Sequence, residues 1–166
     1  LEKELIQDFQ SIECRSHEGY SNQSLMDLMI QSDEIWLQSS WLEWQLPLLK
    51  ESLSNLKDYS QSKILVFGRK SFGEINQSQY FSEGGVKNLL RERNLPRYHI
   101  LISEEMSRSV PNFVEYIDVS ILLCDSYKKC SNSNDENYIL SYDGRHLTPH
   151  GAIYFGNKLK EYLKKL

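Results

Sequence analysis

The sequence predicts an α/β fold built on a mostly parallel sheet, and two observations carry that prediction. Short apolar runs in DEIWLQSSW, from Asp33, and KILVFG, from Lys63, have the length and density of strands buried on both faces. Between them Leu46, Leu49, Leu53 and Leu56 recur at three- and four-residue spacing, the pattern of a helix that buries one face. Strand, helix and strand in that order form a β-α-β unit. Strands alternating with helices imply parallel pairing with helices on both faces of the sheet.

Taken in order, LEKELIQDFQ and SLMDLMIQS are expected helices separated by a polar loop, CRSHEGYSN. In the strand from Asp33, Trp36 lies between Ile35 and Leu37 and is expected in the core. The following helix starts near Pro47, a residue suited to a first turn. GRKSFG follows the second strand and lacks the glycine spacing of a phosphate-binding loop, so it reads as a polar exit whose Arg69 and Lys70 face a cleft. Gly84 and Gly85 precede VKNLLRERN, an expected helix, and another is expected around Ile102 to Arg108. FVEYIDVSILL, from Phe113, is β-branched and aromatic and reads as a strand. In the closing PHGAIYFGNKLKEYLKKL, Thr148 can N-cap a helix and Pro149 suits its first position. Ala152, Phe155, Leu159, Tyr162 and Leu163 form one apolar stripe, and the lysines gather at the end that the helix dipole favours.

The 166 residues fit one domain. The net charge of -4 comes from interspersed signs with no basic stripe, so nucleic acid is not an expected partner. No apolar run approaches the roughly 20 residues that span a bilayer. Of the three cysteines, Cys14, Cys124 and Cys130, the last two flank DSYKK in a segment that resembles no zinc-ligand pattern. They fit either a short-range disulfide in an oxidising compartment or two free thiols in a reducing one.

Chemistry concentrates in SYDGRHLTPHG. A histidine that works as a base needs its second ring nitrogen held by an acceptor, and Asp143, three residues before His146, can reach it within one turn. Gly144 permits the tight backbone between them. The same pair also fits a solvated loop. Arg145 either holds a substrate carboxylate or phosphate or makes an exposed ion pair. His150 follows His146 by four residues, but His146 precedes the helix, so a helical metal pair is not expected. His17 and His99 read as surface or loop histidines. Trp41 and Trp44, beyond the first strand, suit a sugar-binding rim or simple packing.

DGRHLTPHGA resembles the last signature block of the SGNH (GDSL-type) hydrolases, in which the Asp and His of a D-x-x-H motif serve a serine nucleophile. The resemblance extends back through CDSYKKCSNSNDENYILSYDGRHLT, where the cysteine pair is similar to that of SGNH domains fused to membrane acyltransferases that modify bacterial surface polysaccharides such as O-antigen. DEIWLQSSWLEW resembles the third block of those domains. The resemblance implies a three-layer flavodoxin-like α/β/α fold over residues 1–166 as a single SGNH-like domain. It implies that Asp143 orients His146, that His146 is the base, and that Cys124 and Cys130 form a disulfide.

It also implies an O-acyl esterase or transferase acting on a bacterial cell-surface glycan, with an acyl donor or acceptor as second substrate, no cofactor, and a place in the periplasm or on the outer side of the inner membrane, beside an attached membrane acyltransferase domain. Two features depart from the family. The Gly-Asp-Ser block that carries the nucleophile does not occur in the 166 residues. The expectation is therefore that the first strand and its serine lie upstream of Leu1, and that this chain alone is inactive. Ser39, Ser40, Trp41 and Leu42 replace the Gly-x-Asn-Asp block, which leaves the Ser40 hydroxyl, a backbone N–H or the Trp41 indole as oxyanion donor. The alternative reading is a noncatalytic glycan-binding or scaffolding domain that kept the fold and lost the nucleophile.

Overall fold

The computed structural model describes residues 23–75, 90, 92–124 and 129–165. The expected helix at 1–10, the loop at 14–22 with Cys14 and His17, and most of the expected helix at 86–94 lie outside them. Among the described residues the chain is α/β with an open, all-parallel sheet of three strands. It divides into two compact units, Leu1–Phe67 with Glu105–Ile117, and Gly68–Glu104 with Asp118–Leu166.

The first unit contains α1 (Gln23–Gln31), β1 (Glu34–Gln38), α2 (Leu46–Tyr59), β2 (Lys63–Phe67) and β3 (Val114–Ile117). The strand order is β1-β2-β3, with Ile35 opposite Ile64 and Ile64 opposite Val114. A central strand covered on both faces must be apolar at nearly every position, and Ile64, Leu65, Val66 and Phe67 are all buried. Leu46, Leu49, Leu53 and Leu56 are the buried face of α2, as their spacing predicts, and Pro47 lies in its first turn. Ser60 and Ser62 are buried beyond the helix end, where their hydroxyls donate to the Met29 carbonyl at 3.0 and 3.1 Å. Those bonds satisfy two buried hydroxyls and tie the end of α1 to the start of β2.

Trp36 corrects an expectation. It is not core: half of its surface is exposed, its indole N–H donates to Glu34 Oε2 at 2.8 Å, and its ring lies 5.3 Å from that of Phe67. Alternate residues of a strand face opposite ways, and β1 is an edge of the described sheet that buries its Ile35 side.

The run from Phe113 is also divided. Its strand stops at Ile117, because the Asp118 carboxylate accepts the Ser120 N–H at 2.9 Å and caps a short helix, α4 (Val119–Leu123).

The second unit holds α4, the start of α3 (Arg97–Ser109), and α5 (Pro149–Leu163). Helix α3 covers the helix expected around Ile102 to Arg108. Arg93 pairs with Cys130 in an antiparallel bridge, so a helix over 86–94 does not run through it. His99 is a second correction: it is helical and 3 % exposed, because the face of α3 that carries Ile102, Ser103 and Met106 also carries His99 and is buried.

Helix α5 starts as predicted. Thr148 Oγ1 accepts the Gly151 N–H at 3.0 Å and donates to the Ile139 carbonyl at 2.6 Å. Gly151 is the buried residue of this helix, and a Cβ there would overlap the Leu140 carbonyl oxygen. The predicted stripe is only half-buried at Phe155, Leu159, Tyr162 and Leu163, and Ala152 is exposed.

Candidate functional site: an aspartate-histidine loop beside a polar cleft

Residues 141–147 form a loop closed at its base by a bridge between Ser141 and Leu147, immediately before α5. Gly144 turns the loop at φ +82°, and a side chain there would overlap the Gly73 carbonyl oxygen. Its own carbonyl accepts the Phe72 N–H at 2.9 Å, joining the loop to the segment after Gly68.

Asp143 and His146 are brought together. His146 Nδ1 lies 2.5 Å from Asp143 Oδ2. The other carboxylate oxygen accepts the backbone N–H groups of Arg145 and His146, both at 2.8 Å, and the Ser141 hydroxyl at 3.3 Å. Partial burial on its own would raise the Asp143 pKa. The donors from the His146 backbone, the His146 ring and the Arg145 backbone outweigh it and hold the carboxyl well below the ordinary range. An ionised carboxylate can only accept, so Nδ1 carries a hydrogen, and in the neutral imidazole Nε2 keeps its lone pair. The His146 side chain is 85 % exposed, against 29 % for Asp143. The acid is held and the base faces solvent.

The support beneath this pair was not singled out in the sequence. Asn132, fully buried, donates to the Ser141 carbonyl at 2.7 Å and accepts the Ser141 N–H at 2.9 Å. Ser141 in turn accepts the Gly144 N–H at 2.9 Å while its hydroxyl reaches Asp143. The chain from Asn132 through Ser141 to Asp143 positions the carboxylate. An asparagine within SNSNDEN carries no sequence signal that separates it from its solvated neighbours.

Cys124 and Cys130 form a disulfide with Cα atoms 4.3 Å apart. Both sulfurs lie against the Ser71 carbonyl oxygen, at 3.7 and 3.4 Å. The bridge therefore supports the segment that meets the aspartate-histidine loop. Ser71, Pro96, Tyr98, His99, Asp143 and Arg145 line a cleft of about 410 Å³. Arg69 is buried with its guanidinium carbon 5.1 Å from the centre of the Tyr98 ring, which lines the cleft. Burial first, then the charges of Arg69 and Arg145, push the His99 pKa down to about 4.

The other predicted rim residues, Ser40 and Trp41, belong to the first unit. Ser40 is exposed, and the Trp41 indole N–H donates to the Phe67 carbonyl at 2.7 Å. Trp44 is 46 % exposed. His150 stacks on Tyr138 with ring centres 4.0 Å apart. Among the described residues no group of three or more His, Cys, Asp or Glu side chains is arranged to hold a metal ion, and no helix is long and apolar enough to cross a membrane. In comparisons with known proteins, no family model, no curated protein and no solved structure matches the chain.

Proposed function

We propose that the protein is an SGNH-type serine O-acyl esterase or transferase domain acting on a bacterial cell-surface polysaccharide, with a flavodoxin-like SGNH fold and Asp143 and His146 as the acid-base half of its triad. The observation that carries this reading is the asymmetry of the pair. Asp143 is locked by three donors besides the ring, and the nitrogen of His146 opposite Asp143 is left for a substrate proton. The resemblance of DGRHLTPHGA to the last SGNH block points the same way, and the disulfide agrees with an extracytoplasmic site.

In this mechanism His146 Nε2 takes the proton of a serine hydroxyl that lies outside the described residues. The serine oxygen attacks the acyl carbonyl, and the collapsing intermediate expels the first alcohol, which takes the proton back from His146. Water or a sugar hydroxyl then repeats the steps on the acyl-serine. The Trp41 N–H is engaged by Phe67, so in this reading the oxyanion donor is a backbone N–H or the Ser40 hydroxyl.

A chromogenic acetyl ester tests the assignment on the complete gene product. His146→Ala is expected to lower kcat/KM by about 10³-fold or more, within the range of a lost general base. Unchanged turnover would refute the role given to His146.

A second reading, a noncatalytic glycan-binding or scaffolding domain, is favoured by one observation: the Gly-Asp-Ser block is absent from the 166 residues. Saturable glycan binding by a complete gene product that turns over no ester would decide for it.

A further inference from the structure

The cleft beside Asp143 has features that acid-base chemistry does not require. His99 forms part of its wall, yet this ring is 97 % buried and its Nδ1 has no hydrogen-bond partner. Buried polar atoms are almost always paired, so an unpaired one on a residue that lines a cleft calls for a partner. Arg145, on the same wall, makes no ion pair with a described carboxylate. The first turn of α3 opens on the cleft through Pro96, Tyr98 and His99, which adds the positive end of a helix of 13 residues.

Two carboxylates share the cleft: Asp143, whose oxygens are engaged by its own donors, and Glu74, exposed at the edge.

We propose that this cleft is an oxyanion-binding subsite, in which Arg145 and the His99 ring hold a carboxylate or phosphate group of the ligand and buried Arg69 adds positive potential behind Tyr98. The histidine χ2 torsion is soft, so a modest turn of the ring brings Nδ1 to an oxygen seated against Arg145. Burial first, and then the charges of Arg69 and Arg145, disfavour a proton on His99, and a bound anion opposes the field of the two arginines. Occupancy therefore raises the His99 titration midpoint, and binding tightens as pH falls toward it; Tyr98, Asp143 and Glu74 are the other titratable groups on the cleft.

The subsite as a substrate determinant rests on the esterase reading, which would make the substrate an acidic glycan carrying its anionic group near the esterified hydroxyl. Occupancy itself does not depend on catalysis.

The test is an NMR titration of the protein with inorganic phosphate and, separately, with glucuronate, at ionic strength matched with chloride. Saturable shifts of the His99 ring signals are expected with at least one of them, with a raised His99 midpoint in the bound state. Phosphate alone would assign a phosphorylated ligand, glucuronate alone a sugar acid, and both the shared oxyanion chemistry. Arg145→Gln, an exposed change that leaves the fold intact, should weaken binding at least tenfold, whereas His146→Ala should retain it. No saturation by either anion above the chloride control, or undiminished binding by Arg145→Gln, would overturn the proposal. Binding is read without turnover, so it can fail while the roles of Asp143 and His146 stand, and those roles can fail while the subsite stands.

Discussion

Asn132 carries no charge, yet it determines where Asp143 points. Its amide pairs with both backbone groups of Ser141, and Ser141 passes that placement to the carboxylate. Asn132→Ala would strand a buried N–H and a buried carbonyl together, at a cost of about 3 kcal/mol. Urea denaturation of the variant should show that loss; a difference within error would mean that Ser141 is held by other contacts. His99 gives the residue scale its pH dependence. Its folded pKa of about 4 lies below the ordinary 6.5, so between these values the unfolded chain binds more protons. Stability is then present in full above pH 6.5 and falls toward pH 4, by on the order of 3 kcal/mol. Asp143 acts in a lower window, because its depressed pKa contributes stability above the ordinary carboxylate range that is lost as pH falls through it. Denaturation at pH 7.5 and pH 4.5 should show the first loss, and His99→Gln should flatten it; an equal slope in the variant would assign the effect elsewhere. The contact between Asp143 and His146 was legible in the sequence because their spacing suits one turn. Neither Asn132 nor the burial of His99 was, since both depend on contacts distant in the chain.

The elements show the same division between local and distant causes. Helix α2 was readable from four leucines because a one-sided helix writes its buried face into its period. Thr148 and Pro149 announced α5 because capping is local. FVEYIDVSILL misled because its β-branched composition continues past Asp118, where one side-chain bond to Ser120 starts a helix. Trp36 misled because whether an edge strand is covered depends on neighbours that the strand does not encode. The Cys124–Cys130 bridge matters at this scale because it backs the Ser71 carbonyl behind the cleft. Replacing both cysteines with serine should lower stability by about 2 kcal/mol on the loop-entropy model. It should also speed hydrogen exchange at the Phe72 N–H, which bonds the Gly144 carbonyl. Unchanged exchange there would show that the Asp143 loop does not depend on the bridge.

At the scale of the whole molecule, the sequence pattern led to an α/β chain with a parallel sheet, and β1, α2 and β2 form the expected unit. The polar cleft was less legible, because it collects Ser71, His99, Asp143 and Arg145 from three separate stretches and only Asp143 and Arg145 are neighbours in sequence. GRKSFG was expected to face a cleft through its basic pair, but neither Arg69 nor Lys70 lines this one, and Arg69 is buried. The esterase reading makes one demand of the whole protein: a serine must be made nucleophilic by His146. Reaction of the complete gene product with a fluorophosphonate probe, followed by peptide mapping, tests this most directly. The prediction is stoichiometric labelling of a single serine that drops by at least about 10²-fold in His146→Ala. Absence of any labelled serine, or labelling that survives His146→Ala undiminished, would contradict it.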